Sequence, residues 1–201
     1  MRKEESSQFN PENCELPSEF IGERILLRPY QISDASALLE VYVESREYLR
    51  PWIGRVDDIQ SLSDAETAVK QRRSTWFDRT DLVVAILDRE TGRLLGESGF
   101  GMGENGFGTY WDSLEFELGF WLRASAEGCG YMTEANILLC DWAFTDLLAQ
   151  RVFMDCDFRN LRSIAVARRL GLKEVKHLES QELRLFEMTA DEYMDAPWIK
   201  K

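Results

Sequence analysis

The segment "EFELGFWLRASAEGCGYMTEANILL" (115–139) constrains this chain more than any other. An aromatic-rich strand pattern breaks into "ASAEGCG", and an apolar helix begins near Tyr131 with no proline between them. The first turn of a helix carries unpaired backbone N–H groups and a partial positive charge. Gly128 and Gly130 would let those N–H groups approach an anion with no Cβ in the way, which makes a cradle for a diphosphate. A tight strand–helix turn that needs glycine for geometry alone has the same spacing, and spacing leaves both readings open.

The surrounding pattern fits one layered domain over residues 20–201, behind a polar, mobile leader at 1–19. "IGERILLR" (21–28) reads as a first strand. Helices follow in "SDASALLEVYVESREYL", capped by Ser33, and in "SDAETAVKQRRSTWF", with a Ser63–Glu66 capping box. "LVVAILD" (82–88) and "LLGESGF" (94–100) flank the turn "RETG" as a hairpin. A strand at 113–122, a helix at 131–148 and a strand at 151–157 come next. A helix between Asn160 and Gly171, a final hairpin and a short terminal helix complete the order β-α-α-β-β-β-α-β-α-β-β. Gly101, Gly103 and Gly106 match G-x-G-x-x-G, but a strand follows them where a dinucleotide site needs a helix. They are read as a flexible loop.

A net charge of −12 argues against nucleic acid, whose phosphates need clustered Lys and Arg. The same charge would draw in cationic substrates. Cys14, Cys129, Cys140 and Cys156 lack metal-ligand spacing and His177 is the only histidine, so no metal is expected and the cysteines read as thiols in a reducing cytoplasm. No stretch reaches the length of a membrane span. The expected protein is cytoplasmic, with no membrane or nucleic-acid partner and its oligomeric state left open.

"ELGFWLRASAEGCGYMTEA" resembles the acyl-CoA pyrophosphate motif of the GNAT superfamily of N-acyltransferases, in the branch that includes ribosomal-protein N-terminal (alanine/serine) acetyltransferases. "LRPW" (49–52) and "DFRNLRSIAVARRLGL" (157–172) extend the likeness to roughly residues 20–195. The resemblance implies an α/β (α+β) GNAT fold: a mixed, mostly antiparallel sheet with helices on both faces, holding acetyl-CoA between the fourth and fifth predicted strands. It implies a cofactor turn formed by Glu127, Gly128, Cys129, Gly130, Tyr131 and Met132. Two positions depart from the family: Glu127 stands where Gln or Arg is usual, and Cys129 replaces a basic residue. A carboxylate beside a diphosphate repels it unless it points into solvent.

The same resemblance implies the chemistry. Glu117 matches the family's general base, acting through a bridging water, and Glu115 shares its facing by strand alternation. An oxyanion donor is expected from a backbone N–H near Trp121 or Leu122. Ser163 matches a serine that donates a proton to the leaving thiolate, and Asn160 would cap its helix and contact the pantetheine arm. Against these stand ordinary structural roles: exposed strand carboxylates, and a first-turn serine bonded to its own backbone. Cys129 lacks a histidine to activate it as a nucleophile. Glu179 and Glu182 of the last hairpin read either as amine-binding or as solvated. The expected function is direct acetyl transfer to a primary amine, first a protein N-terminal α-amine. A polyamine or other small cationic amine, and a non-catalytic acyl-CoA-binding regulator, are the alternatives.

Overall fold

The computed structural model describes residues 14–101, 109–178 and 182–199. Among them the strands are β1 (Phe20–Ile21), β2 (Ile25–Arg28), β3 (Leu82–Asp88), β4 (Leu94–Phe100), β5 (Thr109–Tyr110), β6 (Glu115–Leu122), β7 (Arg151–Asp157), β8 (Lys173–Leu178) and β9 (Leu183–Thr189). The helices are α1 (Ala35–Leu49), α2 (Leu62–Asp78), α3 (Tyr131–Thr145), α4 (Leu161–Leu170) and α5 (Ala190–Tyr193). The sheet runs β1-β2-β3-β4-β6-β7-β9-β8, with β5 beside β6. Every pairing is antiparallel except β6 with β7. This is the expected mixed sheet, and its two faces bury separate cores.

Strand alternation assigns side chains to those cores. Val84 and Ile86 of β3 and Phe116 and Leu118 of β6 pack with Ala135, Leu139 and Trp142 of α3 and Ile164 of α4. Val83, Ala85 and Trp121 point the other way, against Leu38, Val41 and Tyr42 of α1 and Val69 of α2. The Tyr42 and Trp121 rings meet in a T-shaped contact with centroids 5.3 Å apart.

Local signals hold in part. Asn160 caps α4 by accepting from the Ser163 N–H (3.1 Å), and Gly171 closes it at φ 83°. The first strand is two short ones, because Gly22 turns the chain and its N–H donates to the Ile25 carbonyl (2.9 Å). Two caps are shifted. Ser33 lies inside a 3-10 turn, and Asp34 accepts from the Gln31 N–H (2.7 Å) while pairing with Arg28. The box at α2 uses Ser61 and Asp64, two residues ahead of the expected pair. Gly103, Gly106 and Glu179 lie outside the described residues, as do residues 1–13. Glu182 is exposed in the turn before β9, at φ 56°.

Candidate active site

Strands β6 and β7 run together for only three residue pairs, Glu115 with Arg151, Phe116 with Val152 and Glu117 with Phe153. Beyond Glu117 each strand keeps only its other neighbour: β6 stays on β4 to Leu122, and β7 stays on β9 to Asp157. The shared edge therefore opens into a wedge. The β4–β6 ladder is fixed by the Gly101 N–H donating to the Glu117 carbonyl (3.0 Å) and the Arg123 N–H to the Leu95 carbonyl (2.7 Å). Antiparallel alternation then turns the peptide groups of Gly119 and Trp121 toward β4, and those of Leu118, Phe120 and Leu122 into the wedge. Of the two expected oxyanion donors, Leu122 has its N–H on the open edge. The Trp121 N–H belongs to the ladder.

A cavity of about 510 Å³ fills the wedge. Phe120, Trp121 and Leu122 form one wall, and Arg162, Ser163, Val166 and Arg169 of α4 face them. The turn at Glu127, Gly128, Cys129, Gly130, Met132 and Thr133 lines one end of the cavity. Gly128 and Gly130 have φ of 71° and 83°, the left-handed region that favours glycine. A Cβ on Gly128 would meet nothing within 4 Å, so the space above it is open. The N–H groups of residues 128–133 donate no hydrogen bond among the described residues, and α3 has no side-chain cap. Six consecutive unpaired donors at a helix start fit the oxygens of a diphosphate. Tyr131 is turned away from this wall, its ring under the Arg24 guanidinium at 4.9 Å.

Arg24 carries no signal in the sequence, yet it holds the turn. Its backbone N–H and Nε donate to Glu134 (2.8 and 2.9 Å), and its guanidinium donates to the Cys129 carbonyl (2.8 Å). That carbonyl is thereby kept out of the cavity. Tyr48 of α1 and Arg162 of α4 were also missed by the motif reading, and both reach Glu127. The Tyr48 hydroxyl donates to Glu127 Oε1, and Arg162 Nε lies 3.4 Å from the same oxygen. Glu127 does not point freely into solvent, since its side chain is 23% exposed.

Glu117 is on the other face of β6 from the Phe116 and Leu118 core, and it is buried at 7% exposure. Its Oε2 makes no hydrogen bond among the described residues. Burial, reinforced by the charge of Asp155, pushes its pKa up to about 7. Glu115 has no such environment: it pairs with Arg151 (3.2 Å), which also holds Glu187 (2.8 Å). Ser163 lines the cavity. Its N–H is used in the Asn160 cap, while its hydroxyl has no hydrogen bond among the described residues, so the expected alternative of a self-bonded serine is not what is found. Cys129 is exposed at the turn, whereas Cys140 and Cys156 are buried with thiols pushed up to about 12. Among the described residues no group of acidic, Cys or His side chains is placed to hold a metal ion, and no helix is long and apolar enough to cross a membrane.

A sheet that splays around a glycine turn of free amides, with a buried carboxylate at the point of divergence, defines the class of GNAT-fold acyltransferases. The chain belongs to the acetyltransferase (GNAT) domain family, whose model matches residues 24–173. It is 25% identical over 155 residues to YdaF of Bacillus subtilis (strain 168), provisionally named a ribosomal N-acetyltransferase; the match covers 77% of this chain and 80% of that one. Among solved structures it shares the fold of RimL, a ribosomal-protein α-N-acetyltransferase solved with coenzyme A (18% identity, TM-score 0.72, 85% and 96% of the two chains). Mycobacterium smegmatis RimJ in complex with a CoA disulfide is also similar (21%, TM-score 0.72, 86% and 85%).

Proposed function

We propose that this acetyltransferase moves an acetyl group from acetyl-CoA directly to a primary amine, and that its acceptor is a protein N-terminal α-amine. The observation that carries the reading is Glu117: a buried carboxylate with a pKa near 7 at the point where β6 and β7 part. An α-amine has a pKa of about 8 and must lose a proton before it can attack, so a base poised near neutrality suits it.

Acetyl-CoA supplies the acetyl thioester. Gly128 to Thr133 hold its diphosphate through their N–H groups, and Arg24 keeps that turn in shape. The open peptide group of Leu122 pairs with the pantetheine arm, and Asn160 fixes the first turn of α4 beside it. Glu117 takes the amine proton, through one water. The open N–H of Phe120, the next wedge-facing donor from Leu122 toward Glu117, donates to the thioester oxygen as negative charge grows there. The Ser163 hydroxyl donates to the departing sulfur and relays it a proton from solvent, so that the serine ends the step as a hydroxyl. The chain works as one domain over residues 20–201, in the cytoplasm.

Support for a protein acceptor comes from the likeness to the ribosomal-protein branch. A small cationic amine is the second reading, favoured by the charge of −12 and by Asp155 close to Glu117. An acceptor screen monitored by thiol release separates them: basic peptides with a free N-terminus should turn over, while N-acetylated peptides and spermidine should not. Good turnover of spermidine with none of free peptides would put the small-amine reading in its place. No thiol release with any amine would return the binding-only regulator.

A further inference from the structure

Three residues from three elements meet at the mouth of the cofactor cavity. Glu127 lies directly before the six free amides, Tyr48 is in the last turn of α1, and Arg162 is in the first turn of α4. The Arg162 guanidinium lies over the Tyr48 ring at 5.5 Å, and both groups converge on Glu127 Oε1. Burial and the Glu127 hydrogen bond push the Tyr48 pKa up to about 12, so the phenol remains a donor to the carboxylate. Arg162 is 68% exposed and Glu127 only 23%, so the arginine reaches inward from solvent to a carboxylate drawn under the mouth. Arg169, two turns further along α4, lines the same cavity.

This arrangement sets two anions against one cation. A diphosphate seated on the amides of residues 128–133 comes close to Glu127, and Arg162 is within reach of both. The turn at 127–133 carries no Lys or Arg side chain of its own. A guanidinium binds phosphate oxygens at least as well as a carboxylate, in the same forked geometry.

We propose that Glu127 is an internal competitor for the cofactor and that Arg162 is the diphosphate counterion missing from the turn: binding moves Arg162 from Glu127 to the cofactor's diphosphate, and release returns it. The proposal rests on the acetyl-CoA reading above. Glu127 thereby lowers affinity for both acetyl-CoA and CoA. Only a ligand that gains from Arg162 can shift this equilibrium, so a thioester without the diphosphate leaves the pair in place.

Titration calorimetry tests this with wild type, Glu127→Gln, Arg162→Gln and the double variant, each checked for an unchanged thermal midpoint without ligand. The probes are acetyl-CoA, its 3′-dephospho form and acetyl-pantetheine. Glu127→Gln should bind acetyl-CoA about two- to fivefold more tightly, the span of a partly exposed ion pair, and Arg162→Gln about two- to fivefold more weakly. In the Arg162→Gln background the gain from Glu127→Gln should shrink. The dephospho form should repeat the whole pattern, and the two substitutions should leave acetyl-pantetheine affinity unchanged. Equal or weaker acetyl-CoA binding by Glu127→Gln, or no loss in Arg162→Gln, overturns the exchange. A pattern that vanishes with the dephospho form moves Arg162 to the 3′-phosphate and overturns the diphosphate assignment. If wild type binds no acetyl-CoA at all, the cofactor reading itself fails, which is a separate result.

Discussion

Glu117 pairs in register with Phe153, and this is the last position at which β6 and β7 run together. The carboxylate thus stands at the apex of the wedge, with the sheet closed on one side of it and open on the other. Its elevated pKa follows from burial first and from Asp155 second.

The pH dependence of turnover should report that apex. The acid limb of kcat/KM should include an apparent pKa of about 7, with the rate rising as Glu117 loses its proton. Glu117→Gln should cut kcat at neutral pH by about 10²–10⁴-fold and recover part of it at high pH, where the free amine no longer needs a base. A variant with wild-type rates across the range would remove Glu117 from the chemistry.

The same shift predicts a stability effect independent of activity. The folded pKa of about 7 lies above the ordinary carboxylate value of 4.5, so the folded state holds the proton more tightly. Glu117 therefore contributes stability that is fully present below pH 4.5 and is lost as pH rises through about 7. Glu117→Gln should match wild type near pH 4 and be more stable at pH 8, by at most about 3 kcal/mol. Denaturant unfolding at the two pH values measures it, and equal stability at pH 8 would contradict the burial argument.

Much of this was legible in the chain. Alternation and periodicity gave the sheet and helices, because apolar residues at spacing 2 or 3.6 must share a buried face. The glycine turn was legible because positive φ and open space above a backbone both select glycine. The caps were less so: Asp34 outcompetes Ser33 because Arg28, on another element, pairs with it. Arg24 and Tyr48 could not be found by motif, since their partners lie 105 and 79 residues away. The pKa of Glu117 was likewise hidden, because burial is a property of the assembled sheet.

Cofactor seating at the turn makes its own prediction. Acetyl-CoA at a hundredfold excess over its Kd should stabilise the protein by about 2.7 kcal/mol. Gly128→Val should abolish that shift, since its side chain enters the open space above the amides. The left-handed φ at that position costs about 1–3 kcal/mol on its own, so the variant should remain folded with a lowered midpoint. An undiminished ligand shift would put the cofactor elsewhere.

Ser163→Ala tests the leaving-group role. Because the hydroxyl has no hydrogen-bond partner among the described residues, its loss should leave stability within about 0.5 kcal/mol. The variant should lower kcat with little change in the acceptor KM, as expected for a group that acts only in the transition state. A change confined to KM would make Ser163 a binding residue.

Acetyl transfer to a protein α-amine is checked by locating the acetyl group on the product. A basic peptide with a free N-terminus and an internal lysine is incubated with acetyl-CoA and the enzyme, and fragment mass spectrometry places the added acetyl. Acetyl is expected on the N-terminal nitrogen and none on the lysine. Acetyl on the lysine, or an unmodified peptide under conditions where spermidine is acetylated, would contradict transfer to an α-amine.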